Sequence, residues 1–440
     1  MIKLNKQQQL IKELVLKKKS ICITGSAGTG KSFLLSELIT TLQEKYGKSK
    51  VGITSTTGTG AAIIGGTTLA SFLGLKGDNH LDKDIIFNRI MKSNSDYARK
   101  NWKRTKVLII DEVSMLDSET FDKLEKLACD LRINNFPFGK IQLILVGDFC
   151  QLPPVGNNAG YCFEAQSWNK CISQTINLTQ IYRQNDNWFI SYLEDIRLGR
   201  LPHYRWENLL NWKQKEPNWP KDGIKPVNLF ATNREANAIN EQELKKLMQP
   251  PYFFSAENWE KEPGKLSELT KNCSAVDFLE LKIGTQVMLI RNWHEERLVN
   301  GSQGVVIDFT NNYPIVKFTN GKELIVRRHI WEKIEGYDEN NEPIITATRC
   351  QIPLILSWAM TIHKSQGQTI ERLRVDLSKC FMPGQIYTAL SRCSNPQYLQ
   401  IINFPLNRLW CSKKVREYYQ SLNNSETILT ESPRQSKCLA

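Results

Sequence analysis

No run of eighteen consecutive apolar residues occurs in this 440-residue chain, so the sequence offers no candidate membrane span. No signal-peptide pattern opens it, and a soluble intracellular protein is expected. Eleven cysteines form no C-x-x-C pair and no regular framework, which leaves a disulfide scaffold without support. Cys22, Cys129 and Cys393 fall inside apparent motifs or helices, as reduced thiols do. Internal repeats and a long lysine-rich tail are also missing. The net charge of +13 is therefore spread over folded segments, which favours a polyanionic partner, nucleic acid before a membrane surface. The length allows roughly two to four domains with ample core.

What is present is sharper. Gly25, Ser26, Ala27, Gly28, Thr29, Gly30, Lys31 and Ser32 match the phosphate-binding loop G-x-x-x-x-G-K-[ST] at every fixed position. Residues 20–24 (S-I-C-I-T) read as a buried strand, and residues 33–41 carry the apolar spacing of a helix. The glycines let successive backbone N–H groups turn around a phosphate at a helix N-terminus, where the dipole favours negative charge. Lys31 would reach the β- and γ-phosphates of a nucleoside triphosphate, and Ser32 would ligate Mg²⁺. Starting by residue 25, the motif leaves little room for a transit peptide. Residues 106–112 (K-V-L-I-I-D-E) are an apolar strand ending in two carboxylates. Asp111 is expected to hold Mg²⁺ through water, and Glu112 to polarise the attacking water as general base. A solvated turn accounts for such an ending when it stands alone. Its position, about eighty residues after a phosphate loop, favours the ATP site.

Residues 1–75 and 103–182 alternate strands and helices as a parallel α/β layer does. Residues 76–102 are polar and charged and read as a small insertion. Pro217, Pro220 and Pro226 mark a boundary, after which 227–232 read as a strand and 234–248 as a helix. Residues 249–282 read as irregular. From 283 to 328 the period changes to two, with turn signals at Asn300-Gly301 and Asn320-Gly321, so a β module of about five strands is expected. Helical and strand patterns resume at Pro353 and run to about residue 421; the polar tail, 421–440, is expected to be disordered. Trp188, Phe189 and Tyr192 have the spacing of a buried helix face. Trp206, Trp212 and Trp219 form either a packing cluster or a binding surface.

Residues 147–155 (G-D-F-C-Q-L-P-P-V), preceded by 137–143 (P-F-G-K-I-Q-L), resemble the hallmark stretch of the Pif family of DNA helicases, superfamily-one motors similar to RecD. Further matches are 55–66 (S-T-T-G-T-G-A-A-I-I-G-G), 178–184 (L-T-Q-I-Y-R-Q) and 298–304 (L-V-N-G-S-Q-G). Two more are 358–369 (W-A-M-T-I-H-K-S-Q-G-Q-T) and 387–392 (Y-T-A-L-S-R). They follow the family's order over about residues 4–405. The resemblance implies an α/β fold of two RecA-like layers. The first spans 1–182 with a wedge insertion at 76–102; the second is assembled from 183–282 and 351–420. An SH3-like β module would span 283–350. The implied activity is an ATP- and Mg²⁺-dependent DNA helicase moving 5′ to 3′ on single-stranded DNA and acting on forked or structured DNA. The alternative is a nucleic-acid-stimulated ATPase that remodels protein–DNA complexes without separating strands. No membrane partner is implied, and a monomer is expected in the free state. The nucleus is the expected compartment in a eukaryote, with a mitochondrial or virus-encoded protein as alternatives.

Carried over by resemblance, Gln8 reads adenine, with Gln7 and Gln9 as rivals, and Gly367 joins the ATP site. Gln151 follows the apolar stretch 141–146, where an uncharged donor and acceptor can sense the γ-phosphate. Arg183 and Arg392 are expected as arginine fingers from the facing layer, stabilising transition-state charge on the phosphoryl group. Thr56, Thr57 and Gly58, with Thr361, His363 and Lys364, are implied contacts to a single strand, their hydroxyls, amides and ammonium suited to tracking phosphates without reading sequence. Phe72 is implied to support a base, with a core position as the alternative. Ala70 stands where the family commonly carries histidine.

Overall fold

The computed structural model describes residues 4–75, 82–92, 97–156, 159–184, 186–205, 207, 209, 216–337 and 342–430. Six strands form a fully parallel first sheet: β1 (Ile21–Gly25), β2 (Val51–Ser55), β3 (Thr67–Thr68), β4 (Val107–Asp111), β5 (Gln142–Val146) and β6 (Gln174–Leu178). Their order is β3-β2-β4-β5-β1-β6. Alternate residues serve opposite faces, so a sheet covered on both sides reads as a continuous apolar run. Ile21, Ile23, Ile109, Ile144 and Val146 meet Leu34, Leu35, Leu38 and Leu42 of α2 (Lys31–Tyr46) on one face. Cys22, Leu108, Ile110, Leu143 and Leu145 meet Phe121, Leu124 and Leu127 on the other. α1 here denotes Lys6–Leu16, closed by a capping box between Asn5 and Gln8.

The second layer is a four-stranded parallel sheet, in the order Ala359–Thr361, Val227–Phe230, Leu373–Asp376, Leu399–Asn403. The β module is a five-stranded antiparallel sheet: Glu323–Ile325, Tyr313–Phe318, Gln303–Thr310, Gln286–Leu289 and Leu354–Leu356, in spatial order. Asn320-Gly321 makes the expected turn. The hairpin between Gln303–Thr310 and Tyr313–Phe318 instead turns on Asn311 and Asn312, both left-handed at φ 46° and 60°. Asn300-Gly301 closes no two-residue hairpin. A Cβ on Gly301 would press on Gln368 and Thr369, so this glycine lets the module approach the second layer.

Three expectations need correction. Residues 249–282 are not irregular: strands Tyr252–Ser255 and Phe278–Leu281 pair antiparallel, and Glu257–Glu260 extends the hairpin His329–Tyr337/Pro343–Gln351. A helix, Lys265–Asn272, lies between. These partners are far away in sequence, so the local pattern carries little signal. The tail expected from 421 is helical as far as it is described, because Lys413–Thr430 is one helix. Val415, Tyr418, Tyr419 and Leu422 place it on the first layer's core, which the polar sequence around them masks. Residues 431–440 lie outside the described residues.

The segment expected to be an insertion, 76–102, is also less separate than its polarity implies. Ile86 and Ile90 of helix Lys83–Lys92 and Trp102 of helix Tyr97–Arg104 belong to the first layer's core. The Trp102 indole N–H donates to the Leu73 carbonyl. Residues 76–81 and 93–96, like Trp206 and Trp212, fall outside the described residues. Phe189 and Tyr192 are buried as expected, whereas Trp188 is 38% exposed and stacks on Tyr192. Trp219 stacks near Tyr398. No helix among the described residues is long and apolar enough to cross a membrane.

Candidate nucleotide site and interlayer cleft

Gly28 and Gly30 take φ of 85° and 80°, which turns the phosphate loop into the first turn of α2. The Lys31 ammonium donates to the carbonyls of Gly25 (2.7 Å) and Ser26 (2.9 Å), at the mouth of the loop. Burial, only partly offset by the Asp148 and Glu112 carboxylates, pushes the Lys31 pKa down to about 8. A cation whose charge is disfavoured in this way gains from an arriving phosphate. Gln8 is buried, and its side-chain nitrogen lies 3.1 Å from where a Cβ on Gly30 would stand, so it borders the loop. Gln7 instead donates to the Asn177 carbonyl, and exposed Gln9 donates to the Leu4 carbonyl.

Asp111 ends β4, and its Oδ1 accepts from the Glu112 N–H at 2.9 Å. Burial and the adjacent Glu112 carboxylate push the Asp111 pKa up to about 7. The neighbouring Asp111 and Glu112 carboxylates lie close enough to Lys31 to interact with it, and with the Ser32 hydroxyl they supply the hard oxygen donors that Mg²⁺ takes. The donor set therefore fits the ion. Glu112 sits at φ 52°, an uncommon backbone for a residue with a Cβ. Its Oε2 accepts from the Gln366 side chain of the second layer at 2.9 Å.

Gln151 is buried just beyond β5, and its Oε1 accepts from Arg392 at 3.4 Å. Arg392 is also buried; it donates to the Thr388 carbonyl and the Ser391 hydroxyl, each at 3.0 Å. Arg183 donates to the Ser391 carbonyl at 3.1 Å. Burial, with Arg392 nearby, pushes Arg183 down to about 9, and burial lowers Arg392 as well. Two buried guanidiniums held close together, their charge only partly offset by Glu112, suit a bound anion. The expectation that both come from the facing layer holds only for Arg392. Arg183 follows β6 by five positions, the Tyr182 N–H donates to the Gly28 carbonyl at 2.7 Å, and a Cβ on Gly28 would stand 2.6 Å from that of Arg183. Its backbone is pinned beside the phosphate loop, and only its guanidinium reaches across.

The expected strand contacts divide. Thr57, Gly58, Thr361, His363 and Lys364 line one cleft of about 1160 Å³ between the layers. Gln366, Asn233 and Lys271 line it too. Burial holds the His363 pKa below its usual value, so its ring is neutral at neutral pH. Thr56 points elsewhere, its hydroxyl donating to the Glu112 carbonyl at 2.8 Å. Phe72 is not in the cleft. Its half-buried ring occupies the space left by the missing side chain of Gly52, meets Tyr97 edge-on at 6.5 Å and packs against the core, as the core alternative has it. Ala70 packs against the same core. Gly367 has φ 79° and follows Gln366 directly, at the second-layer side of the site.

One residue of the hallmark stretch 147–155 is not singled out by sequence, because nothing local names its partners. Asp148, fully buried after β5, accepts from Arg197 (3.0 Å), the Tyr419 hydroxyl (3.0 Å) and the Tyr387 hydroxyl (3.2 Å). The Tyr387 oxygen in turn accepts from the Ala27 N–H of the phosphate loop at 2.8 Å. The helix bearing Tyr387, Gln385–Leu390, begins at Gly384, where a Cβ would collide with the carbonyls of Cys150 and Gln151. First layer, second layer and C-terminal helix thus meet at one carboxylate.

Comparison with known proteins identifies the family and the fold. The family model "PIF1-like helicase" matches residues 3–206, and "DNA helicase Pif1, 2B domain" matches 266–309. The Pif1 helicase structure from Candida albicans is 36% identical, with a TM-score of 0.77, over 96% of this chain and 100% of that one. The chain belongs to the PIF1-like helicase family. Its two parallel α/β layers are the RecA-like domains of that family's structures. A curated relative, the ATP-dependent DNA helicase PIF1 of Emericella nidulans, is 36% identical over 96% of this chain. The chain spans 63% of that relative's own length. A Bacteroides Pif1 structure bound to single-stranded DNA is 25% identical, with a TM-score of 0.64, over 97% of this chain and 98% of that one. The 2B match overlaps the β module but begins within the helix Lys265–Asn272, ahead of the expected boundary at 283.

Proposed function

We propose that this PIF1-like chain is an ATP-dependent DNA helicase that moves on single-stranded DNA and separates duplex or structured DNA. The observation that carries the reading is convergence at one cleft. The phosphate loop, Glu112 and Gln151 of one layer meet Arg392 of the other, beside a groove lined by Thr57, Gly58, Thr361, His363 and Lys364. In this mechanism the loop amides and Lys31 hold the phosphates of ATP, and Gln8 faces the adenine. Ser32 and Asp111 would hold Mg²⁺, which neutralises phosphate charge when bound. Water attacks the γ-phosphorus as the bond to the bridging oxygen breaks, and Glu112 takes the water's proton. Arg392 and Arg183 stabilise the spreading charge.

Closure of the layers on ATP and reopening after hydrolysis would step the protein along one strand. Movement from 5′ to 3′ is the direction that family resemblance implies, and a monomer is sufficient to build the whole site. The antiparallel β module is taken as the family's SH3-like element. In helix Lys83–Lys92, Ile85 is 51% and Met91 41% exposed, while Ile86 and Ile90 anchor the same helix in the core. Ile85 and Met91 stand about 120° apart, one on each flank of the buried face, so this core-anchored helix offers exposed apolar side chains that a wedge against separating bases would use.

Strand displacement on forked DNA, read beside DNA-stimulated ATP turnover, tests both points. The parent should open a fork with a 5′ tail. The Ile85→Glu/Met91→Glu variant should unwind at least about fivefold more slowly, with turnover on a single strand unchanged within about twofold. ATP turnover without displacement in the parent would instead favour a protein–DNA remodelling ATPase.

A further inference from the structure

The general base of the nucleotide site is held by hydrogen bonds from both loops that carry the proposed DNA contacts. On the first layer, the Thr56 hydroxyl, beside Thr57 and Gly58, donates to the Glu112 carbonyl at 2.8 Å. On the second, the Gln366 amide donates to the Glu112 carboxylate at 2.9 Å, across a sequence separation of 254 residues. Gln366 is 4% exposed, and the loop behind it is stiff. Lys364 N–H donates to the Thr361 hydroxyl (3.3 Å), Ser365 N–H to the Thr361 carbonyl (3.0 Å) and Gln366 N–H to the His363 carbonyl (3.2 Å). The Ser365 hydroxyl adds a bond to the Ile362 carbonyl at 2.8 Å. A phosphate that draws Thr361, His363 or Lys364 therefore moves Gln366 with them.

Glu112 is sensitive to such a pull. Its left-handed backbone, at φ 52°, fixes where the side chain starts, so the carboxylate's partner decides where it points. A carboxylate oxygen that accepts an amide N–H has one lone pair engaged and its direction set by that partner. The same Gln366 side chain lines the cleft beside Thr361, His363 and Lys364.

We infer that Gln366 is a positioning residue through which a DNA strand on the Thr361–Lys364 loop controls the Glu112 carboxylate. The inference rests on the proposed DNA-driven ATPase and adds its trigger. With Gln366 bonded to it, Glu112 is restrained; a strand that shifts the loop frees it to accept a proton from water. ATP hydrolysis is thereby suppressed until the track is occupied.

The test compares ATP turnover with and without oligodeoxythymidylate for the parent, Gln366→Leu and Gln366→Met, with strand affinity by anisotropy. Both substitutions keep the bulk and remove the donor. Turnover without DNA should rise at least about fivefold, and the stimulation ratio should fall by the same factor. The KM for ATP and the strand affinity should stay within about twofold. An unchanged stimulation ratio in either folded variant overturns the inference, as does an equal fall of both turnover rates, which would make Gln366 a support for the base. No stimulation in the parent would overturn the proposed function itself, a separate outcome readable before any variant is made.

Discussion

Replacing Arg392 with alanine should lower DNA-stimulated ATP turnover at least about a hundredfold while ATP affinity changes less than about threefold. Arg392 belongs to the second layer, and its hydrogen bond to the first, to Gln151, is long at 3.4 Å. Its contribution therefore grows as the cleft closes around charge that spreads in the transition state, a role worth roughly 10³–10⁵ in rate in related phosphoryl-transfer sites. Arg183→Ala should differ. The backbone of Arg183 lies against Gly28, so its guanidinium is near the phosphates before closure, and the variant should lose affinity as well as turnover. Lysine should rescue neither position, because an ammonium lacks the planar pair of donors that bridges two phosphate oxygens. Equilibrium nucleotide titration beside steady-state turnover checks both; parent-like turnover in Arg392→Ala would remove the two-layer mechanism.

The second large effect is on stability. Asp148→Ala should destabilise the fold by roughly 3–5 kcal/mol, because it leaves the Arg197 charge buried without its partner and strips two tyrosine hydroxyls of an acceptor. Asp148→Asn keeps the shape and should lose less. Burial alone would raise the Asp148 carboxyl, yet Arg197 and Lys31 hold it below its usual range. A depressed carboxylate stabilises the fold above its unfolded pKa and loses that contribution as pH falls through the folded one. The gap between parent and Asp148→Ala should thus be full at neutral pH and narrow only in strong acid. Urea unfolding midpoints across pH provide the measurement; equal midpoints at neutral pH would show that the node bears no strain.

The nucleotide site was legible because its chemistry is local. Eight consecutive residues build the phosphate loop, and one strand delivers Asp111 and Glu112, so spacing alone identifies them. The relations across the cleft were not legible. Arg183 looked like a residue of the facing layer until the Tyr182–Gly28 bond pinned it to the phosphate loop. Asp148 meets its partners Arg197, Tyr387 and Tyr419 only after both layers and the C-terminal helix have packed. Phe72, which the sequence left open between a DNA contact and the core, is half-buried, and the missing Cβ at Gly52 gives its ring a place against the core. Strands such as Tyr252–Ser255 went unseen because their partners lie more than twenty residues away and several of their side chains are exposed.

Directed, ATP-driven movement along a single strand is the central claim, and stopped-flow translocation measures it most directly. Oligodeoxythymidylates of increasing length carry a dye at the 3′ end, and the arrival of the protein quenches it after ATP is mixed in. The expected lag grows linearly with length, disappears when the dye is moved to the 5′ end, and is lost in Arg392→Ala. A signal independent of length, with ATP turning over at the same rate, would contradict translocation and leave a DNA-stimulated ATPase that does not walk.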